Sequence, residues 1–384
     1  MKHGITILDV FSGAGGLSLG WLSAMRDCGA NLIGLVDADP TLAPVHKENF
    51  PGTRSLTYSF APVDSGDVEE VRRALNVGRS EVDVLLAGPP CQSVSSAGKR
   101  AAHHLDNRLA LRVADLARAL RPKVVAIENV PEFAWAEDGR LVGRVRVQLA
   151  SSGYETQVAI LNATSFGVPQ VRQRCFILAV AREEYRRAPG SLAPTPSTST
   201  IMTARSPVSG HGDLPLPPTV HDAISDLPQL LAGEGAEVGS YDRDPFTAYQ
   251  RRLRNGLSKL FNHVAVNHSP EMVAALANLG PGDTPQRQAN HPLRRKDYFR
   301  SAYARLVGDG VAPTMTTQTQ NPGSGRFTHP TQNRVLTVRE VARIQGFPDS
   351  FRFLGDNGTQ RRHVGNAVPP AVAAALAAGL SRYL

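Results

Sequence analysis

Cysteine is scarce in this sequence of 384 residues, which has only three. Cys28, Cys91 and Cys175 lie far apart and form no CxxC pair and no pairing with histidine at metal-ligand spacing. This pattern excludes a disulfide-rich scaffold and argues against structural zinc. It fits a reducing cytosol, so we expect a cytoplasmic protein without a metal.

Long apolar runs, leader sequences and internal repeats are also missing. No stretch of about 18 apolar residues occurs, and Met1–Gly4 leads directly into a short apolar run without signal-peptide features. We therefore expect no membrane partner. The hydrophobic fraction of 41% and the charged fraction of 20% are ordinary for a soluble globular protein. The length allows a full core and two lobes.

Acidic residues are outnumbered, and the formal net charge is +8. From Arg251 to Arg300 there are nine Lys or Arg residues against three acids, densest at Arg251–Arg254 and Arg294–Lys296. This balance suggests a polyanionic partner. For either cluster alone, a solvated basic face is the more ordinary explanation.

Short apolar runs alternate with helical patterns over the first 180 residues. Strands are predicted at Ile5–Val10, Asn31–Val36, Ser55–Phe60, Val82–Ala87, Val124–Ile127, Glu155–Leu161 and Arg174–Val180. Helices are predicted from the first glycine turn to Cys28 and at Thr41–Asn49, Val68–Asn76, Leu109–Leu120 and Leu141–Ala150. Such alternation predicts an α/β fold with a doubly wound, mostly parallel sheet. Ligands bind such sheets at the carboxyl ends of the strands.

The composition changes near Arg186. Residues 189–219 are rich in Pro, Ser, Thr and Gly, which is typical of a linker or surface loop. Near the end, Thr337–Glu340 is a capping box that opens a helix, and Pro370–Leu380 is an Ala-rich helix. We expect a catalytic domain at 1–185, completed by 355–384, and a smaller second domain at 186–354.

A glycine-rich turn, Ser12–Gly16, separates the first strand from the first helix. Glycines there allow a ligand to approach main-chain N–H groups closely, although many such turns only satisfy packing. The second strand ends about 20 residues further on, at Asp37, where a carboxylate accepts hydrogen bonds from ribose hydroxyls in nucleoside-binding α/β folds. The pair indicates a nucleoside-containing cofactor, without identifying it.

Two reactive side chains are predicted at the carboxyl ends of neighbouring strands. Cys91 follows a rigid Gly-Pro-Pro turn and is placed like a nucleophile, although a free cysteine is more often a small buried hydrophobe. Glu128 could serve as an acid or as a hydrogen-bond acceptor for a heterocycle. It could equally cap a helix or lie on the surface.

A pair of arginines follows in Gln170–Arg174. Their alternation predicts that Arg172 and Arg174 share one face of a strand. Two guanidiniums there suit phosphate or an anionic intermediate, and one structural salt bridge would explain them as well.

Together these motifs resemble the DNA (cytosine-5) methyltransferase family. The matching segments are Asp9–Gly16, Asp37, Pro89–Gln92, Glu128–Val130, Gln170–Arg174, Arg334–Glu340, Gln345–Pro348 and Gly365–Val368. They follow the family's order and cover both ends of the chain. The resemblance implies a Rossmann-like methyltransferase whose smaller domain recognises the target sequence.

The resemblance also implies roles for individual residues. Cys91 would attack C6 of cytosine while Glu128 hydrogen-bonds or protonates N3, so that C5 can accept the methyl group of S-adenosylmethionine. Arg172 and Arg174 would help to lower the pKa of the thiol. The implied cofactor contacts are Phe11, Gly13, Ala14, Gly16, Asp37, Ala38, Pro90, Leu111, Asn366 and Val368.

The implied partner is duplex DNA, from which the target cytosine must be flipped out. We expect a monomer that produces S-adenosylhomocysteine, with a separately encoded restriction endonuclease as a candidate partner. Four places depart from the family: Val94 stands where relatives usually have Phe, Asp37 where Glu is commoner, and Leu109 where relatives usually have Gly. The most consequential is Tyr58-Ser59-Phe60, which stands where relatives have an adenine-binding Asp. Weaker or differently arranged cofactor binding is therefore expected.

Two other functions fit the same sequence. One branch of the family methylates transfer RNA, but the long basic insertion favours DNA. A catalytically silent binding protein could keep the fold, but it would be expected to lose Cys91 or Glu128, and both are present.

Overall fold

The computed structural model describes residues 4–61, 66–90, 108–197, 215–295 and 300–384. Their contacts divide the chain into two units. The first unit comprises Met1–Asn162, Gln173–Pro196 and Pro370–Leu384, and the second comprises Ala163–Arg172 and Ser197–Pro369. These boundaries differ from the expected 1–185, 186–354 and 355–384, and the functional roles of the two domains stay predictions.

A seven-stranded sheet forms the centre of the first unit. Its strands are β1 (Thr6–Val10), β2 (Asn31–Asp37), β3 (Arg54–Thr57), β4 (Val84–Ala87), β5 (Val124–Asn129), β6 (Tyr154–Asn162) and β7 (Gln173–Ala181). The order is β3-β2-β1-β4-β5-β7-β6. The first five strands pair in parallel, and β7 runs antiparallel to both β5 and β6. The predicted α/β class with a mostly parallel sheet is confirmed.

Helices accompany this sheet. They are α1 (Gly16–Ala24), α2 (Leu42–Asn49), α3 (Asp67–Leu75), α4 (Leu109–Leu120), α5 (Arg140–Ser151), α6 (Arg182–Arg187) and α12 (Pro370–Leu380). The C-terminal helix packs closely on α1, as expected. A Cβ on Gly20 would lie 2.2 Å from the Pro370 carbonyl oxygen and 2.5 Å from the Ala373 Cβ. The absence of a side chain at Gly20 therefore allows this contact.

The second unit contains five helices and a two-stranded sheet within its described residues. These elements are α7 (Val220–Ile224), α8 (Ala248–Arg254), α9 (Pro270–Ala277), α10 (Val338–Ile344), α11 (Asn357–Asn366), β8 (Gly235–Ser240) and β9 (Lys259–Val264). The capping box predicted at Thr337 and Glu340 is present at the start of α10. Gly346 follows the helix with a φ of 82°, which glycine adopts readily.

Buried arginines hold the second unit together. Arg334 donates two bonds of 2.9 and 2.8 Å to the Glu340 carboxylate, and both side chains are almost completely buried. Arg343 lies between Asp226 and Asp349. Each charge is paired and hydrogen-bonded, which offsets the cost of removing it from water.

Among the described residues, one helical segment is long and apolar enough to span a membrane. Asn357–Tyr383 covers 27 residues, and 61% of its most apolar window is buried inside the protein. A core helix of a soluble protein meets the same length and composition test, so the segment is weak evidence for a span. Its apolar part, α12, packs against α1.

Candidate active site

The glycine-rich turn leaves β1 with an unusual backbone. Phe11, Gly13 and Gly15 all have left-handed φ values, of 53°, 51° and 85°. The Ser12 N–H donates to the Val36 carbonyl oxygen at 3.1 Å, which ties the turn to β2. A Cβ on Gly13 would meet nothing within 4 Å. The turn therefore leaves open space where a ligand could approach the main chain, as expected for a cofactor site.

Asp37 lies beside this turn, at the end of β2. Its Oδ2 accepts the Gly13 N–H at 2.8 Å, and its Oδ1 accepts the Asp39 N–H at 3.0 Å. A carboxylate oxygen has room for a second hydrogen bond, so the half-buried group can still accept from a ribose hydroxyl. The structure joins Asp37 to Gly13, which lies between Phe11 and the other predicted cofactor residues of this segment, Ala14 and Gly16.

His46 on α2 also contacts the turn, although no sequence motif pointed to it. Its Nε2 lies 2.7 Å from the Gly13 carbonyl oxygen, and its Nδ1 lies 2.8 Å from the Ser55 Oγ. The ring is buried, and burial lowers the pKa of His46. A single histidine in an ordinary helix has no sequence pattern that could have predicted this contact.

Asp9 is a buried carboxyl group in β1, the strand that precedes the glycine-rich turn. The Ser18 hydroxyl donates to its Oδ2 at 2.6 Å. Its Oδ1 is buried and has no hydrogen-bond partner among the described residues. Burial raises the pKa of Asp9 to about 7.

The segment after β3 is aromatic where relatives are expected to have an acid. The Phe60 ring lies 5.0 Å from the Phe11 ring, measured between centroids. The Tyr58 hydroxyl donates to Glu70 at 2.8 Å. An apolar ring thus packs next to the turn at this position, and the expectation of a differently arranged cofactor contact stays a prediction.

The Gly-Pro-Pro turn after β4 is held by its neighbours. Asn129 Nδ2 donates to the Pro89 carbonyl oxygen at 3.1 Å, and Pro90 is exposed. A Cβ on Gly88 would lie 3.2 Å from the Phe11 carbonyl oxygen and 3.7 Å from Glu128 Oε2. This turn, the glycine-rich turn and the candidate acid therefore meet at one place. Cys91 itself lies outside the described residues.

Glu128 and Arg174 form an ion pair in the first unit. Arg174 Nε lies 2.9 Å from Glu128 Oε1, and their side chains are 17% and 12% exposed. The carboxylate sits near the carboxyl end of β5, as predicted, and remains accessible enough to contact a ligand. The arginine fixes the orientation of the carboxyl group.

The prediction that Arg172 and Arg174 share one face of a strand is wrong. β7 begins at Gln173, so Arg172 precedes the strand, and it belongs to the second unit. The Arg172 guanidinium is buried and donates to the carbonyl oxygens of Met315 and Gly365, both at 2.9 Å. The N–H groups of a buried guanidinium can donate to backbone carbonyl oxygens. The alternation of residues along the sequence does not predict such contacts.

A second cysteine lies close to Glu128 but is chemically different from the predicted nucleophile. Cys175, in β7, is buried, and burial together with the negative charge of Glu128 raises its pKa to about 12. The thiolate is the nucleophilic form, so Cys175 is inert at neutral pH.

The remaining predicted cofactor residues lie on other segments of the chain. Ala38 is exposed after β2, and Leu111 on α4 is half-buried against the core of the first unit. Asn366 ends α11 and Val368 follows it, and both belong to the second unit. Their contacts with a cofactor stay predictions.

The basic clusters are partly engaged in local structure. Arg254 lies over the Tyr241 ring, 3.7 Å from its centroid, and Arg252 lies over Tyr249 at 4.9 Å. Arg294 and Arg295 donate to nearby carbonyl oxygens, and Lys296 lies outside the described residues. Arg251 and Arg252 are exposed, so their charges remain available to a polyanion.

The sequence matches one family of known proteins over almost its whole length. The profile of the family described as C-5 cytosine-specific DNA methylase matches residues 5–382. Type II methyltransferase M.DdeI of Desulfomicrobium norvegicum is 31% identical over 399 residues, covering 99% of this chain and 89% of that protein. DNA (cytosine-5)-methyltransferase 1 of Mus musculus is 29% identical, covering 96% of this chain and 28% of that protein.

Two solved structures have a similar fold. A prophage-encoded DNA modification methyltransferase from E. coli has a TM-score of 0.76 at 24% identity, covering 98% of this chain and 99% of that chain. Spodoptera frugiperda DNMT2 has a TM-score of 0.58 at 18% identity, covering 99% of both chains. At these identities the likeness concerns the fold alone.

Proposed function

The chain belongs to the C-5 cytosine-specific DNA methylase family, whose members use S-adenosylmethionine to methylate cytosine in DNA, and from this membership we propose its detailed reaction. It methylates C5 of a cytosine that is flipped out of a specific sequence in duplex DNA, through a covalent bond between Cys91 and C6. The observation that supports this most directly is how close Gly88 lies to two other groups. A Cβ on Gly88 would lie 3.2 Å from the Phe11 carbonyl oxygen and 3.7 Å from Glu128 Oε2.

The first chemical step makes C5 nucleophilic. The Cys91 thiolate forms a bond to C6, and the C5–C6 π electrons move toward the N3–C4 region of the ring. Glu128 hydrogen-bonds or protonates N3 and so stabilises the negative charge that develops there. Arg174 holds Glu128 at 2.9 Å and is therefore a positioning residue for this acid. The family resemblance also implies a catalytic role for Arg172; its guanidinium donates to the carbonyl oxygens of Met315 and Gly365, and its part in catalysis stays a prediction.

The residues of the glycine-rich turn suit S-adenosylmethionine. Gly13 leaves open space beside the main chain, Asp37 presents a carboxylate to a ribose, and Phe11 presents an aromatic ring to an adenine. When bound, the cofactor supplies an electrophilic methyl group, which the activated C5 accepts. A base then removes the C5 proton, which re-forms the C5–C6 double bond and expels the Cys91 thiolate, and N3 returns to Glu128 any proton that it received.

The target base must leave the duplex to reach such a site. We assign base recognition to the second unit, whose exposed Arg251 and Arg252 would contact phosphates. A monomeric, cytoplasmic enzyme with a separately encoded restriction endonuclease is the assembly we propose.

Bisulfite sequencing of DNA from cells that express the protein tests this proposal. We expect protected cytosines within one short sequence motif. Cys91→Ser should lower methylation by on the order of a thousandfold or more, because the nucleophile is lost. Cys175→Ser is the matched control and should methylate like the wild type, since that thiol is buried and protonated.

Three outcomes would contradict the proposal. Methylation by Cys91→Ser at the wild-type rate would refute the nucleophile. Methylation of transfer RNA but not of duplex DNA would refute the substrate. Purified wild-type protein that neither binds S-adenosylmethionine nor methylates any nucleic acid would refute the activity.

A further inference from the structure

Both polar groups of the Gly13 main chain are held by side chains from outside the turn. The N–H donates to Asp37 Oδ2 at 2.8 Å, and the carbonyl oxygen lies 2.7 Å from His46 Nε2. Because Gly13 has a left-handed φ and no side chain, these two bonds set the orientation of its peptide groups. One partner comes from the end of β2 and the other from the middle of α2.

The chemistry of the contact fixes the form of the imidazole. A carbonyl oxygen can only accept, so Nε2 must be the protonated ring nitrogen. In the neutral ring Nδ1 then accepts from the Ser55 hydroxyl, 2.8 Å away. Burial lowers the pKa of His46 and keeps the ring neutral at physiological pH.

The same helix contacts the turn a second time. Phe50, four residues after His46, directly follows α2 and is buried. A Cβ on Gly15 would lie 2.6 Å from the Phe50 ring. Phe50 lies just outside the helix, with a φ of −131°, and so connects the end of α2 to the turn. The position of α2 is thereby coupled to both Gly13 and Gly15.

We infer that His46 is a positioning residue for the methyl donor, acting through the Gly13 carbonyl rather than by touching the cofactor. This rests on the proposed function, in that the glycine-rich turn holds S-adenosylmethionine. The hydrogen bond from Nε2 keeps the turn in the shape that leaves cofactor-binding space beside Gly13. Its loss frees a carbonyl in a buried setting, which would turn toward another donor.

Steady-state kinetics of purified enzyme with S-adenosylmethionine and duplex DNA test the inference. His46→Phe keeps an aromatic ring without the donor, and its KM for S-adenosylmethionine should rise on the order of tenfold, as for one lost bond to a buried carbonyl. The KM for DNA should not change. His46→Gln supplies an amide donor and should restore most of the loss. Lys47→Gln, at an exposed position of the same helix outside this network, is the control and its KM for S-adenosylmethionine should equal the wild-type value.

Melting temperatures distinguish a positioning role of His46 from a contribution to stability alone. If His46→Phe only melts earlier while its KM for S-adenosylmethionine equals the wild-type value, the inference is overturned. It is also overturned if His46→Gln is as impaired as His46→Phe. A wild-type protein that does not bind S-adenosylmethionine contradicts the proposed function instead, so the two failures can be told apart.

The wild-type protein allows a test that needs no variant. Nitrogen-15 NMR of the imidazole should show a neutral ring protonated at Nε2, and saturation with S-adenosylhomocysteine should shift the Nε2 resonance. A ring protonated at Nδ1 alone, or a resonance that does not respond to the ligand, would refute the role of His46 even if His46→Phe did not fold.

Discussion

At the scale of the residue, Asp9 is a carboxyl group whose environment disfavours its charge. It is completely buried, Ser18 satisfies one of its oxygens, and the other has no partner within the described chain. Burial raises its pKa from 3.8 to about 7. The folded protein therefore binds this proton more tightly than the unfolded chain does. The resulting stability is fully present below the unfolded pKa and is lost as pH rises through about 7.

Replacing Asp9 with Asn should remove this pH dependence. Asn cannot ionise, so at pH 8 the free energy of unfolding of Asp9→Asn should exceed that of the wild type by up to about 4 kcal/mol. The difference should shrink as pH falls toward 5, where the wild-type carboxyl is protonated. Urea unfolding at a series of pH values measures it. Two parallel stability curves would contradict the raised pKa.

Some residues of the candidate site follow a sequence pattern that predicts their position, and others do not. The positions of Asp37 and Glu128 at the ends of strands were predictable because each follows an apolar run, and their roles in the site stay predictions. The contact of His46 was not predictable, because its partner is a main-chain carbonyl distant in sequence. Arg172 was assigned to the wrong environment, since alternation along a sequence does not show where a strand begins.

At the scale of the element, the contact between α1 and α12 depends on one missing side chain. Gly20→Ala should destabilise the protein by about 2–4 kcal/mol, because a Cβ would overlap the Pro370 carbonyl and Ala373 and separate the helices. Thermal unfolding of the purified variant measures this loss.

Gly143 offers a matched control within a helix. It lies in α5, and a Cβ there would meet nothing within 4 Å. Gly143→Ala should therefore leave stability unchanged or raise it by up to about 1 kcal/mol, since Ala favours helix more than Gly does. Equal destabilisation by the two substitutions would show that helix packing at Gly20 is not the cause.

The predicted bounds of helices and strands agree best with the structure where residues close in sequence determine them. α4 spans the predicted Leu109–Leu120, and the capping box at Thr337 opens α10. The strand predicted to reach Phe60 ends at Thr57, because β3 is paired with β2 only as far as Asp37. Pairing between distant segments, which sets that limit, leaves no local trace in the sequence.

At the scale of the whole molecule, the net charge of +8 governs the encounter with DNA. Affinity for duplex DNA without the target sequence should fall by on the order of tenfold or more between 50 and 200 mM salt, since bound phosphates release counterions. Fluorescence anisotropy of a labelled duplex across a salt series measures the slope.

Arginine substitutions identify which arginines neutralise DNA phosphates. The double substitution of Arg251→Gln with Arg252→Gln should lower the salt slope by up to about two, one for each phosphate that is no longer neutralised. Arg73→Gln, on the exposed side of α3 in the first unit, is the control and should leave the slope unchanged. If all three arginines contributed equally, the second unit would have no special role in binding phosphate.

The division of the first unit into separate chain segments has a consequence for biosynthesis. A ribosome produces Ala373 roughly twenty to seventy seconds after Gly20, at about 5–20 residues per second. Until then the surface of α1 that α12 covers has no partner. The second unit, although its main segment begins only at Ser197, has its whole chain available before the first unit does. The order in which the units can complete folding is therefore the reverse of the order in which their synthesis begins.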